Sequence, residues 1–280
     1  MSTVGQRERA TQQRLIQFFV EDLGYRHLSH RTGYTGNSNI DTNILSAWLK
    51  RRGVNDTLIT RALRQLDSAA ALGEGKKLYY ANKEVYRLLR YGVKDKEGAG
   101  EQNQTVWLID WANPQANDFA IADEVTVKGE YCKRPDLVLY VNGIALGVIE
   151  LKRSSVHISE GIRQNLDNQK KTFIRDFFTT MQLVMAGNDT QGLRYGTIET
   201  PEKYYLEWKE DNPGDYTHKL DFHLSRLCSK SRLLDIVHNY IAFDVGVKKL
   251  CRHNQFFGVE AAKQHIARRE GGIIWHTQGS

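Results

Sequence analysis

Apolar residues recur at helical spacing through the first quarter of the chain. Leu15, Ile16, Phe19, Val20 and Leu23 fall on one stripe within residues 7–25, and Gly24 follows as a C-cap would. The same spacing predicts a helix over about 41–51, with Asp41 as N-cap. A third covers about 55–71, where Asn55 caps and Leu58, Ile59, Ala62, Leu63 and Leu66 form the buried face. Residues 28–40, rich in Ser, Thr, Gly and Asn, read as a loop. Residues 73–105 are charged, with one helical patch at 83–89 and a turn at 98–104.

The pattern then changes. Residues 105–110, 119–127, 136–141 and 144–151 carry the branched and aromatic side chains of strands. Helical spacing returns over about 158–179, and strand-like pieces follow at 181–186 and 194–198. Residues 199–217, with two Pro, a Gly and many charges, read as a connector. Beyond it, 220–244 reads as a helix, 253–269 as another, and 271–276 as a turn and a strand. No internal repeat is visible.

Composition narrows the class. The 280 residues are 40% hydrophobic and 26% charged with only 4 Pro, the make-up of a folded soluble protein. No apolar run approaches the roughly 18 to 20 residues that span a bilayer, and the polar N-terminus is no secretory signal. The cytoplasm is the expected location. Cys132, Cys228 and Cys251 lack metal-ligand spacing and read as reduced thiols. The net charge of +6 suits a polyanionic partner.

Candidate chemistry gathers in one segment, Arg134-Pro135-Asp136 through Asn142-Gly143 to Glu150-Leu151-Lys152. It reads as a β-hairpin about an Asn-Gly turn. Asp136, Glu150 and Lys152 stand at its far end. Two ionised carboxylates brought together repel unless a cation lies between them, and Mg²⁺ is held by one or two carboxylates plus water and phosphate. Lys152 follows Glu150 by two strand residues and so shares its face. There it can orient or deprotonate an attacking water, or offset charge on a phosphorane. A plain two-residue turn puts Asp136 opposite Ile149, on the wrong face for a shared site. A three-residue loop, Val141-Asn142-Gly143, pairs Tyr140 with Ile144 and brings Asp136 and Glu150 to one face. The odd loop is therefore expected, with Glu150 continuing the apolar Ile144, Leu146, Val148 series.

Asp136, thirteen residues and then Glu150-Leu151-Lys152 resembles the PD-(D/E)xK nuclease superfamily. More specifically, RPDLVLYVNGIALGVIELK and the opening ERATQQRLIQFFVEDLGY are similar to the N-terminal region of type I restriction subunits. The ending GGIIWHTQGS is similar to the strand entering the first phosphate loop of their motor. The resemblance implies an α/β fold with a restriction-endonuclease-like core, a mixed sheet flanked by helices, followed by the start of a RecA-like motor domain. Residues 1–215 would be the endonuclease domain and 216–280 the connector and start of the motor. The implied activity is Mg²⁺- or Mn²⁺-dependent DNA hydrolysis, with Asp136 and Glu150 as metal ligands and Lys152 as the catalytic lysine. Glu8 matches an acidic position on the family's first helix, although helix-dipole stabilisation explains it equally.

The family's Gln-x-x-x-Tyr motif finds Gln164 here, but Asn168 stands where Tyr would be. Gln164, Lys170 and Lys171 are the implied DNA-binding residues. Gln255 matches an adenine-reading position, with a helix cap at Asn254 as the competing reading. Gly279 and Ser280 fall in the phosphate loop, whose lysine would come next; ATP is thus expected only for the full-length subunit. The implied partners are double-stranded DNA and the methyltransferase and specificity subunits of a type I complex. The alternatives are a non-catalytic nucleic-acid-binding or subunit-docking module on the same fold, and a motor-associated ATPase fragment with a structural N-terminus. Lys50-Arg51-Arg52 and Lys76-Lys77 read as solvated faces, and Trp48, Trp107, Trp111, Trp208 and Trp275 as core or interface.

Overall fold

The computed structural model describes residues 3–31, 37–210 and 216–275, with side chains from residue 9 onward except that of His30. Helix α1 (Thr3–Glu21) leads into a short strand β1 (Arg26–His27). Three helices follow, α2 (Thr42–Arg51), α3 (Asp56–Ala70) and α4 (Leu78–Tyr91). A small hairpin of β2 (Val93–Asp95) and β3 (Gln104–Val106) precedes the main strands β4 (Phe119–Asp123), β5 (Leu137–Val141) and β6 (Ile144–Leu151). Helix α5 (Ser159–Asn168), β7 (Leu183–Asn188) and β8 (Gly192–Gly196) complete the central layer. The chain then forms α6 (Lys219–Cys228), α7 (Lys230–Asn239), a hairpin of β9 (Ile241–Asp244) and β10 (Val247–Leu250), and α8 (His253–Ala267).

Capping begins the early helices as expected. The Asp41 carboxylate accepts from the Asn43 and Ile44 amides, and Asn55 Oδ1 from the Leu58 amide. Gly24 is left-handed (φ +69°), and the Tyr25 amide reaches back to Phe19 O at 2.8 Å, so the chain leaves α1 abruptly toward β1. The 83–89 patch proves to be the middle of a 14-residue helix, α4.

The central sheet runs β1-β4-β5-β6-β7-β8. The β1–β4 and β6–β7 pairs are parallel and the other three antiparallel, so the sheet is mixed. One face packs on a large core that draws Leu15 and Phe19 from α1, Leu224 and Leu227 from α6, and Leu233 and Val237 from α7. The other face carries Val138, Tyr140, Val148 and Val184 under Phe177 and Phe178, and Ala186 under Ile158 and Ile162. Helices cover both faces, which is why every residue of β5 and β6 is buried.

Several expected elements take another form. The helix expected over 158–179 ends at Asn168 and gives way to a turn and a 3₁₀ segment, Arg175–Thr179. The helix expected over 220–244 breaks at Ser229 and stops at Asn239; the remainder is the β9–β10 hairpin, turned by Val245 (φ +41°) and Gly246 (φ +85°). Residues 271–275 form no strand, since no described strand lies beside them to hydrogen-bond, and Ile273 and Trp275 are exposed. Glu8 lies on α1 with its side chain outside the described residues, and His276, Gly279 and Ser280 lie outside them altogether. Residues from both sides of 215 share the large core, Trp208 and Tyr195 packing with Phe256 and Leu220.

Candidate active site

The β5–β6 hairpin sets the site. Its turn has two residues, Asn142 (φ +52°) and Gly143 (φ +83°), with Val141 opposite Ile144. The expected three-residue loop is not formed. Asn142 is held in its left-handed conformation by its own side chain, which donates to Leu108 O (2.9 Å) and Asn117 Oδ1 (2.8 Å) and accepts from the Asp118 amide (2.7 Å).

The slip needed to bring the carboxylates together occurs inside β6. Tyr140 pairs with Ala145 but Leu139 pairs with Gly147, leaving Leu146 as the extra residue of a β-bulge. Beyond the bulge Val138 faces Val148 and Leu137 faces Ile149, so continuing the register puts Asp136 opposite Glu150. Ile144 and Leu146 therefore belong to the large core while Val148 belongs to the α5 side. The apolar series expected to lead into Glu150 is split by the bulge, and only Val148 shares its face.

At the strand end the three residues converge. Glu150 is completely buried. Its Oε1 accepts a hydrogen bond from Gln164 Nε2 of α5, and Gln164 Oε1 in turn accepts from Lys152 Nζ at 2.6 Å. The Gln164 amide thus stands between the carboxylate and the lysine. Asp136 Oδ2 accepts from the Leu151 amide at 2.7 Å, which ties the start of β5 to the end of β6. Helix α5 comes this close because residue 161 is glycine: a Cβ there would lie 3.0 Å from Ala186 Cβ and 3.4 Å from Lys152 Cγ.

Sequence reasoning missed Gln12. Its Nε2 donates to Asp136 O at 2.9 Å, and the residue is buried on α1. A signal was present, because positions 12, 15, 16 and 19 share one helical stripe and Gln12 is the polar member of an apolar face. Asn168, the residue in place of the family tyrosine, is also buried, and its main-chain carbonyl receives the Ile174 amide at 3.1 Å. Lys170 and Lys171 lie past the end of α5 rather than on it; both are exposed, and Lys170 pairs with Asp167. Gln255 closes the first turn of α8, its Oε1 accepting the Arg252 amide at 2.9 Å. The cap expected from Asn254 is thus made by Gln255.

A hard divalent ion fits the donor set. Two carboxylates on one face would supply its charge, with water and substrate phosphate completing the shell of an ion such as Mg²⁺; among the described residues no group of three or more His, Cys, Asp and Glu side chains comes together.

The architecture defines an α/β protein whose mixed sheet is flanked by helices, consistent with a nuclease-like fold. The chain belongs to the family described as the type I restriction enzyme R protein N terminus, which residues 5–203 match. It is 25% identical to the putative type I restriction enzyme MjaIXP endonuclease subunit of Methanocaldococcus jannaschii, over 93% of this chain and 29% of that protein. To the type I restriction enzyme HindI endonuclease subunit of Haemophilus influenzae it is 27% identical, over 82% of this chain and 24% of the relative. A Staphylococcus saprophyticus endonuclease subunit, SsaAORF53P, is 28% identical over 59% of this chain and 18% of its own length. The chain spans under a third of the length of these curated relatives. Among its described residues no helix is long and apolar enough to cross a membrane.

Proposed function

We propose that this chain is the metal-dependent DNA endonuclease domain of a type I restriction subunit. The observation that carries the reading is the bulged register of β6, which turns Asp136 and Glu150 to one face beside Lys152. Asp136 and Glu150 would hold Mg²⁺ or Mn²⁺, which when bound supplies Lewis-acid activation of water and phosphate. The chain's own residues do the rest. The Leu151 amide holds Asp136 Oδ2, and Gln12 holds the Asp136 main chain, so this carboxylate is fixed before substrate arrives. Lys152 presents a cation two residues beyond Glu150, where it neutralises charge that builds on a scissile phosphate or positions the attacking water. Gln164 holds Lys152 toward Glu150, and the exposed Lys170 and Lys171 are available to a DNA backbone.

The relatives' names, type I restriction enzyme endonuclease subunits, support the nuclease reading; by the family resemblance, cleavage would follow ATP-driven translocation in a cytoplasmic complex with methyltransferase and specificity subunits. Residues to about 215 would form the nuclease unit and the rest the entry to the motor, with Gln255, Gly279 and Ser280 serving nucleotide binding only in the full-length subunit. Calorimetric titration of Mn²⁺, with and without duplex DNA, into the wild type, Asp136→Ala and Glu150→Ala tests the site. Saturable binding lost in both folded variants is expected. Equal binding by all three, under both conditions, would leave a non-catalytic docking module.

A further inference from the structure

The basic run Lys50-Arg51-Arg52 ends helix α2 beside three of the five tryptophans. Two clefts adjoin there and share Trp48 and Arg52 as walls. The first, about 460 Å³, is lined by Trp48, Trp107, Trp111 and His238 together with Arg52 and Asp110. The second, about 420 Å³, is lined by Arg26, Arg51, Arg52, Asn117 and Asp118. One cleft is aromatic and its neighbour is arginine-lined.

The aromatic walls are fixed rather than collapsed. Trp48 Nε1 donates to Ala116 O (3.0 Å) and Trp111 Nε1 to Leu89 O (3.1 Å), so neither indole can rotate without losing a bond. Trp111 stacks on His238 with ring centroids 4.5 Å apart and planes 16° from parallel. Trp107 is 49% exposed, a large flat side chain left facing solvent.

The charges are equally arranged. The Asp110 carboxylate accepts from Arg52 (2.6 Å) and from the Asn113 amide (2.9 Å), and Asp118 holds Arg26 through both oxygens (2.6 and 3.3 Å). Both acids in the clefts are therefore committed to orienting guanidinium groups. Arg51 has no ion-pair partner among the described residues and leaves the rim with an unopposed positive charge. An apolar partner surface would strip water from these guanidinium groups without supplying acceptors. A planar base carrying a phosphate satisfies both clefts, since bases stack on indole and guanidinium faces and phosphate pairs with arginine. In a duplex those base faces are already stacked, so the nucleotide must be unpaired.

We propose that the paired clefts bind an unpaired nucleotide of a nucleic-acid strand, the base against the exposed Trp107 and its phosphate at Arg51 and Arg52. The site is separate from Asp136 and Glu150. It lies by the Asn142-Gly143 turn, where Asn142 bonds Leu108 O and the Asp118 amide, at the other end of β5. The five residues of β5 separate Asp136 from Asn142, six steps along the strand or roughly 20 Å.

The test is fluorescence anisotropy of a labelled single-stranded oligothymidylate and of a blunt duplex, in EDTA so that no metal contributes. Intrinsic tryptophan fluorescence is followed in parallel. The single strand is expected to bind more tightly than the duplex and to quench tryptophan emission. Trp107→Ala should weaken binding roughly 5- to 150-fold, the range for losing one stacked base. Arg51→Ala should lower the log–log salt slope by about one, as loss of one phosphate contact does. Both test residues are exposed, and matching unfolding midpoints would verify that the variants fold. Single-strand binding unchanged in both Trp107→Ala and Arg51→Ala, or a duplex bound as tightly as the single strand, overturns the proposal; in either case the clefts serve a protein partner or none.

Discussion

Replacing Gln164 with leucine tests the arrangement at the strand end through its energetics. The wild-type amide donates to Glu150, which has no exposed surface, and accepts from Lys152. Leucine is of similar size and cannot do either. Lys152 is only half-buried, so water can replace its lost acceptor and that bond contributes little. Glu150 has no such recourse. A hydrogen bond to a charged group is worth about 1.5 to 3 kcal/mol, and leaving its buried partner short of a donor has a comparable penalty. Gln164→Leu should therefore lower unfolding free energy by about 2 kcal/mol in EDTA, measured by urea denaturation. In a double-mutant cycle with Glu150→Gln most of that loss should vanish, because the charge it serves is gone. The amide also has to yield when a cation reaches Glu150. Linkage then makes the variant bind Mn²⁺ roughly thirtyfold tighter than the wild type. A variant as stable as the wild type in EDTA, with unchanged Mn²⁺ affinity, would refute the placement of this amide between the two charges.

Other perturbations read different parts of the frame. Asn142→Ala removes three hydrogen bonds, two of them buried, and a tolerated left-handed residue, and should destabilise by about 3 kcal/mol in the same denaturation assay. Gly161→Val should cost about 1 to 3 kcal/mol in the same assay by pushing α5 off Ala186 and Lys152. His223 is buried, its Nδ1 accepts the Leu193 amide at 2.9 Å, and burial lowers its pKa to about 4. The unfolded chain takes up that proton first, so stability should fall as pH drops from about 6.5 toward about 4, and His223→Gln should flatten that part of the curve. Lys248 is buried against Asn82, Gln182 and Met181 O, and burial holds its amine well below the ordinary lysine range. The unfolded state again binds more protons, so wild-type stability relative to Lys248→Met should rise as pH climbs toward the ordinary lysine range, as followed by urea midpoints.

The site was legible because its residues are close in sequence. Arg134-Pro135-Asp136 and Glu150-Leu151-Lys152 flank one hairpin, and a hairpin brings its ends together whatever the remaining topology. The requirement for a one-residue slip could be deduced too, since an unbroken register from an Asn-Gly turn separates the two carboxylates. Its location could not. The bulge at Leu146 is absorbed by the absence of a side chain at Gly147, where a Cβ would press on Leu139 Cδ1 at 3.2 Å, and that neighbour belongs to another strand. The same limit hid the contribution of α1 and the extent of α5. Gln12 gains its role from a carbonyl 124 residues away, and the break after Asn168 is paid for by Phe177 and Phe178 packing under the sheet. Between 220 and 244 the apolar spacing runs on without a proline, so only the Val245-Gly246 turn marks the change to a hairpin. The tryptophans were harder still. Trp48, Trp107 and Trp111 are scattered in sequence and meet around the Asn142 turn only once the sheet is built.

The most direct test of the account is diffraction from crystals of this chain soaked in Mn²⁺, with data collected at the manganese absorption edge. An anomalous peak bonded to both Asp136 and Glu150, with the Gln164 amide withdrawn from Glu150, is the predicted result. Full occupancy of Mn²⁺ elsewhere, with Asp136 and Glu150 still turned to one face and no peak between them, would contradict it.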